Sequence, residues 1–380
     1  MPRRPFAHAV LACATIVAVT ALLTVAGPLS PPAGPVASTY KTLTDVEPRT
    51  PISLAATPGD ADSLFKITQP GSYYLTGNIT GVSGKSGIEI ASSRVTIDLM
   101  GFTLSGVAGS LDGIVATADY FCLAIHDGII TGFGGDGIDL LTAGTTANSR
   151  IERIHARGNS LAGILAGTAA VVRECTASFN GGNGIDLDNA ASVAGCTATA
   201  NGGSGFKMLI GSSVTNCSAK DNALTGFVMG AGSSVTACAA YSNLGAGINA
   251  AGGCNISGNT VRFNTLDGIV VSSGGLVRDN DCTGSGLDAG SGANILATSF
   301  DNRIEGNNSS LGDRGIQAFG AGNIIIRNTS SGATGGNWVI AANNVVGPIL
   351  NRTAPASAAI NGDVAPSSLA TTDPNANFTY

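Results

Sequence analysis

The side chains best suited to chemistry are acidic. Asp112 and Asp136 each stand directly before a Gly-Ile pair, and Asp139 follows on an alternation that should project it outward. Asp186 and Asp188 repeat that pattern further along, with Lys207 nearby. The turn after Asp139, from Thr142 to Ser149, is longer than its counterparts and could rim a shallow groove. Clustered carboxylates can act as acid and base on a glycosidic bond, or as oxygen ligands for calcium. The set Asp112, Asp136, Asp139, Asp186, Asp188 and Lys207 is therefore a candidate glycan-binding site. The competing reading is a solvated acidic surface, or turn aspartates bonding their own backbone. No catalytic residue and no metal site can be assigned; no cofactor is called for, and calcium is the one ion the carboxylates suggest.

Other chemistry-bearing residues have plainer explanations. Lys220, Tyr241 and Arg262 recur at one interval and should stack outward, where they could contact an acidic glycan or form an ordinary solvated face. Glu152 with Arg173, and Arg153 with Glu174, should pair across neighbouring coils, as should Asp186 with Lys207. His126 and His155 sit in no motif. The cysteines at 175, 196, 217 and 238 form a column, which suggests disulfides or a metal site. Yet equivalents one coil apart, at ~4.8 Å, are slightly far for a bridge. A straight column cannot surround a tetrahedral ion. Buried free thiols are expected.

What positions these residues is a repeat. From Ile164 through Ile185, Phe206, Phe227 and Ile248 to Ile269, an apolar residue follows Gly every 21 positions. Other columns keep the register: Ile151 to Val277, Cys175 to Cys238 continued as Asn259 and Asn280, Asn159 to Asn264, and small Ala177 to Ala240. Within a coil the period is two, as in Ile185-Asp186-Leu187-Asp188, so each strand buries one side. Short strands without helical periodicity, stacked copy on copy, make an all-β solenoid: a parallel β-helix of about 11 coils. The corner Asn should tolerate left-handed backbone and bond to the Asn one coil away, and the Gly should give the turn its freedom.

The Asn-x-x-x-Gly-Ile unit at Asn159–Ile164, Asn180–Ile185 and Asn264–Ile269 resembles the right-handed β-helix repeat family within the pectin-lyase-like superfold. The stretches Pro70–Leu75 and Val95–Phe102 resemble the opening coils of its secreted bacterial members. The likeness covers about 65–345. It implies fold and export, and function only weakly, because such folds host many activities. The Gly-His-Gly and Arg-x-Lys of pectin-hydrolysing members and the Asp-Pro-His-Glu of alginate epimerase-like members do not occur in the sequence. The expectation is a non-catalytic protein that binds or organises extracellular polysaccharide. The alternative is a polysaccharide lyase or glycoside hydrolase.

Composition agrees. Gly reaches 54 of 380 residues, hydrophobic residues 43% and charged residues only 12%, which suits many short strands and tight turns and argues against disorder. Arg3 and Arg4 before the apolar stretch Ala9–Ala26 read as an export signal, placing the mature protein outside the cell or on its surface with no membrane span left. The net charge of −6 becomes −8 once those two arginines leave, which disfavours a nucleic-acid partner. The organisation expected is signal and Pro-rich linker over 1–38, N-terminal cap over 39–70, β-helix over 71–345, and C-terminal cap or tail over 346–380.

Overall fold

The computed structural model describes residues 47–141, 147–286, 290, 292–351 and 372–380. The expected signal and linker over 1–38 lie outside them, as do residues 142–146 of the long turn and 352–371 of the tail. Arg49–Tyr380 forms one compact unit.

That unit is a parallel β-helix. Among the described residues the regular elements are all strands. Each mid-solenoid coil runs over three faces, as in Ile185–Leu187, Ser192–Ala194 and Thr197–Thr199. Every named strand pairing is parallel, and the mid-solenoid ones join coil to coil at 21-residue intervals. Ile164, Ile185, Phe206, Phe227, Ile248 and Ile269 stack in one buried column on the first face. Phe206 and Phe227 lie ring on ring, with centroids 4.9 Å apart. Val172 to Val277 line the second face, and Ala177 to Ala240 the third. The third column needs small residues because its wall meets the other two across a narrow interior.

The first face carries 13 strands, not the 11 coils the repeat suggests. The uncounted coils are at the ends. Ser63–Ile67 pairs with Ser86–Ile90, and Trp338–Ile340 pairs with Arg314–Ala318. Their inward Phe65 and Trp338 follow Leu64 and Asn337 rather than Gly, so the Gly-apolar mark is missing there. Pairing thus begins inside the segment expected to be a cap. Asn377–Thr379 also joins the third face beside Thr329–Ser331.

Side-chain ladders lock the corners. Asn180 donates from its backbone N–H and from Nδ2 to Asn201 Oδ1, at 3.1 and 3.0 Å, and Nδ2 also reaches the Ala156 carbonyl at 3.2 Å. Asn201, Asn222 and Asn243 repeat the arrangement toward Asn264. Each bond adds about 0.5–1.5 kcal/mol net, and a buried donor without one costs more. The residue in left-handed backbone is the one before each ladder Asn, such as Phe179 at φ 56, rather than the Asn itself. The Gly that opens the first-face strand is required for closeness, not turn freedom. A Cβ on Gly184 would meet Gly205 O at 2.6 Å and Asn201 Nδ2 at 2.8 Å.

The cysteine column obeys the same logic. The Cys175, Cys196 and Cys217 amides each donate to the next thiol at 3.4 Å, and the Cys238 amide donates to Asn259 Oδ1 at 2.9 Å. A thiol here substitutes for an amide oxygen, which is why Cys gives way to Asn down the column. All four are buried and unbridged, as are Cys254 and Cys282, while Cys122 is exposed. Burial pushes the Cys282 thiol far up. We predict that, of the seven described cysteines, only Cys122 is alkylated in native buffer, whereas in denaturant without reductant all seven are. An intact mass showing two fewer labels would reveal a disulfide.

Candidate functional site

The two turn aspartates are structural in their contacts. Asp112 Oδ1 accepts the Asp136 amide at 2.7 Å, and Asp136 Oδ1 accepts the Ala162 amide at 2.6 Å. In the same role Asn183 Oδ1 takes the Ser204 amide at 2.8 Å, and Asp267 Oδ1 takes the Ala293 amide at 2.8 Å. The position therefore asks for a short side chain with an accepting oxygen, charged or not. Where it is Asp, burial raises the carboxyl, as at Asp112 and Asp267. Asp136 rises furthest, to about 7. Burial comes first among the causes, and the charges of Asp139, Asp112 and Asp186 add to it against the opposing Ala162 bond.

Asp139 does not project into solvent as expected. Its strand places it outward, in register with Val115 and Leu165, yet it is only 2% exposed. The carboxylate turns back on its own chain and accepts the Leu141 amide at 2.8 Å. Val115 of the preceding coil is covered too.

Asp186, Asp188 and Lys207 do come together on the outer side of the first face. With Leu141, Leu165, Leu187 and Leu209 they line a shallow groove. Lys207 Nζ lies 3.1 Å from Asp186 Oδ2, which also accepts Asn183 Nδ2 at 2.8 Å. Asp188 accepts the Thr168 hydroxyl at 2.9 Å and Asn189 Nδ2 at 2.7 Å. Charged groups flanked by leucines can hold a sugar by hydroxyl bonds on one side and apolar contact on the other. Asp136 feels the Asp186 charge through the sheet, so the six residues share one neighbourhood while only three of them line the groove.

Two clusters escaped sequence reasoning. Asp98, His126 and Asp127 bring three ligating atoms together, as do Asp60, Asp62 and Glu89. Cations already serve both. Arg49 pairs with Asp98 at 2.8 Å and Arg153 with Asp127 at 2.5 Å, while Lys66 sits 2.7 Å from both Asp60 and Glu89. They form ion-pair networks. The signal that could have found them was register, since Asp98 faces His126 and Lys66 faces Glu89 across adjacent coils. Glu152 stands in register with Arg173, but its carboxylate lies against Arg150 and Arg153, at 3.8 and 3.5 Å, and Arg153 reaches Asp127 on the preceding coil rather than Glu174.

Residues 68–243 match the family described as Right handed beta helix region. The A-module of a mannuronan C-5 epimerase from Azotobacter vinelandii superposes with a TM-score of 0.50 at 15% identity, covering 85% of this chain and 86% of that one. A periplasmic alginate epimerase superposes with a TM-score of 0.51 at 14% identity, covering 74% and 82%. At such identity the likeness is one of fold. No curated protein sequence matches the chain. No helix among the described residues is long and apolar enough to cross a membrane. The chain is a right-handed parallel β-helix.

Proposed function

We propose that this right-handed β-helix is an exported, non-catalytic protein that binds or organises extracellular polysaccharide along its first face. The observation that carries the reading is the groove of Asp186, Asp188 and Lys207 between leucines, laid on a sheet whose 13 strands repeat at ~4.8 Å. A linear polymer meets such a surface at many similar points, so weak contacts add. Two fold neighbours named as mannuronan and alginate epimerases support a polyuronate as the first polymer to try. Asp186 and Asp188 would meet its carboxylates through a bridging cation such as calcium.

The test is retardation of the full chain in gels containing alginate or polygalacturonate, with and without calcium. Wild type should be retarded more with calcium, and an Asp186→Asn, Asp188→Asn variant should lose at least fivefold of that gain. No retardation in any polymer would sink the reading. The second reading, a lyase or hydrolase, is favoured by one observation: a carboxyl at about 7, as Asp136 has, can give and take a proton at neutral pH. Sustained product release that Asp136→Asn abolishes would establish it and remove the non-catalytic reading.

A further inference from the structure

The third face carries an aromatic ring that packs no core. Tyr241 stands outward between Lys220 and Arg262 on three consecutive coils, and it is 42% exposed. Its strand, Ala239–Tyr241, leaves the ring exposed to solvent. The ring is nonetheless held. Phe263 meets it edge-on, with centroids 5.8 Å apart and planes at 82°, and Lys220 Nζ lies 5.7 Å from its centroid. A ring fixed in place and left open on one side loses little freedom when something stacks on it.

The charges around it are matched. Lys220 pairs with Asp221 at 3.3 Å, and Arg262 pairs with Asp281 at 2.5 Å. The sequence pattern suggested an acidic glycan for this stripe. With both cations already neutralised, an anionic polymer would have to displace two aspartates to gain two contacts. A neutral sugar displaces nothing. Its vicinal hydroxyls donate to carboxylates and accept from ammonium and guanidinium groups, and its C–H face suits an aromatic ring with one apolar and one polar end. Lys220 and Arg262 are two coils apart, ~9.6 Å, on the order of two pyranose rings. The flanking positions of the same column are hydroxyls, Thr199 before Lys220 and Thr283 after Arg262, which extend the sugar-compatible strip along the sheet.

We infer that Tyr241, flanked by the Lys220–Asp221 and Arg262–Asp281 pairs, is a carbohydrate-binding platform for a neutral glycan chain, separate from the first-face groove. It shares no residue with that groove, so either site can fail without the other. The experiment is affinity electrophoresis of the full chain in gels containing dextran, hydroxyethylcellulose or mixed-linkage β-glucan, with polygalacturonate alongside. Wild type should be retarded in at least one neutral polymer. Tyr241→Thr, which installs the residue type already found in this column, should cut that retardation at least fivefold while melting within about 2 °C of wild type. Tyr241→Phe should keep it, because the ring and not the hydroxyl carries the contact. Asn249→Asp, exposed on the first face and outside both sites, should leave it unchanged. No retardation in any neutral polymer overturns the inference, as does retardation that Tyr241→Thr leaves intact. Retardation by polygalacturonate alone that Tyr241→Thr removes would overturn the neutral assignment.

Discussion

An Ile248→Asp chain should not accumulate as a folded β-helix, or should melt at least roughly 10 °C below wild type. Ile248 is fully buried, stacked between Phe227 and Ile269 in the first-face column. A carboxylate there has no cation within the column. Taking an unpaired charge or an unbonded polar group out of water costs several kcal/mol. A compact protein could let one loop yield. Here the strand is hydrogen-bonded to the coils on both sides, and moving it outward breaks both sets at once. The neighbouring position supplies the control. Asn249 lies on the same strand, faces outward and is exposed, so Asn249→Asp should change the melting temperature by no more than about 2 °C. Thermal melts followed by circular dichroism, with soluble yield recorded beside them, decide the matter. Equal melting temperatures for the two variants would show that the inward assignment of this column is wrong.

That column was legible because a solenoid writes its contacts into the sequence at a fixed interval. Apolar, Asn and Cys positions recur every 21 residues, and the neighbour in space is the neighbour in the pattern. Legibility failed wherever the residue type changed while the role did not. A third corner ladder runs from Asn302 through Asn323 to Asn344. Earlier coils fill that corner with Ser212, Ser233 and Cys254, so no single letter marks it. The end coils lacked the Gly-apolar mark for the same reason. The candidate site suffered from a different ambiguity. Alternation says which way a side chain leaves the strand, but not whether another part of the chain covers it. Asp139 leaves outward and is covered, whereas Asp186, at the same face position two coils on, opens onto the groove. Nor does a period of two distinguish an aspartate that waits for a ligand from one that caps an amide, which is what Asp112 and Asp136 do.

The capping role gives Asp136 a cost that depends on pH. Its carboxyl sits at about 7 in the folded chain against an ordinary 3.8, with burial the main cause and Asp139, Asp112 and Asp186 adding to it. A group raised in the folded state contributes stability that is complete below its unfolded value and is lost as pH rises through its folded value. The window is therefore about pH 4 to 7, and the full loss is at most about 4 kcal/mol. The groups facing it are three aspartates; Lys207 is engaged with Asp186, so no cation relieves the charge as it forms. Asn is the natural substitute. Asn183 performs the same task with an amide oxygen, accepting the Ser204 amide at 2.8 Å. Asp136→Asn should thus keep the bond to the Ala162 amide and remove the titration. At pH 5 the variant and wild type should melt within about 2 °C of each other. At pH 8 the variant should melt several degrees higher, because wild type then holds a buried carboxylate at 7% exposure. Asp112 and Asp267 are raised as well and will make both proteins less stable on the alkaline side, so the difference between the two melting curves, not the slope of either, isolates Asp136. A variant that loses stability equally at pH 5 and pH 8 would mean that the carboxylate, rather than any accepting oxygen, is what this corner requires.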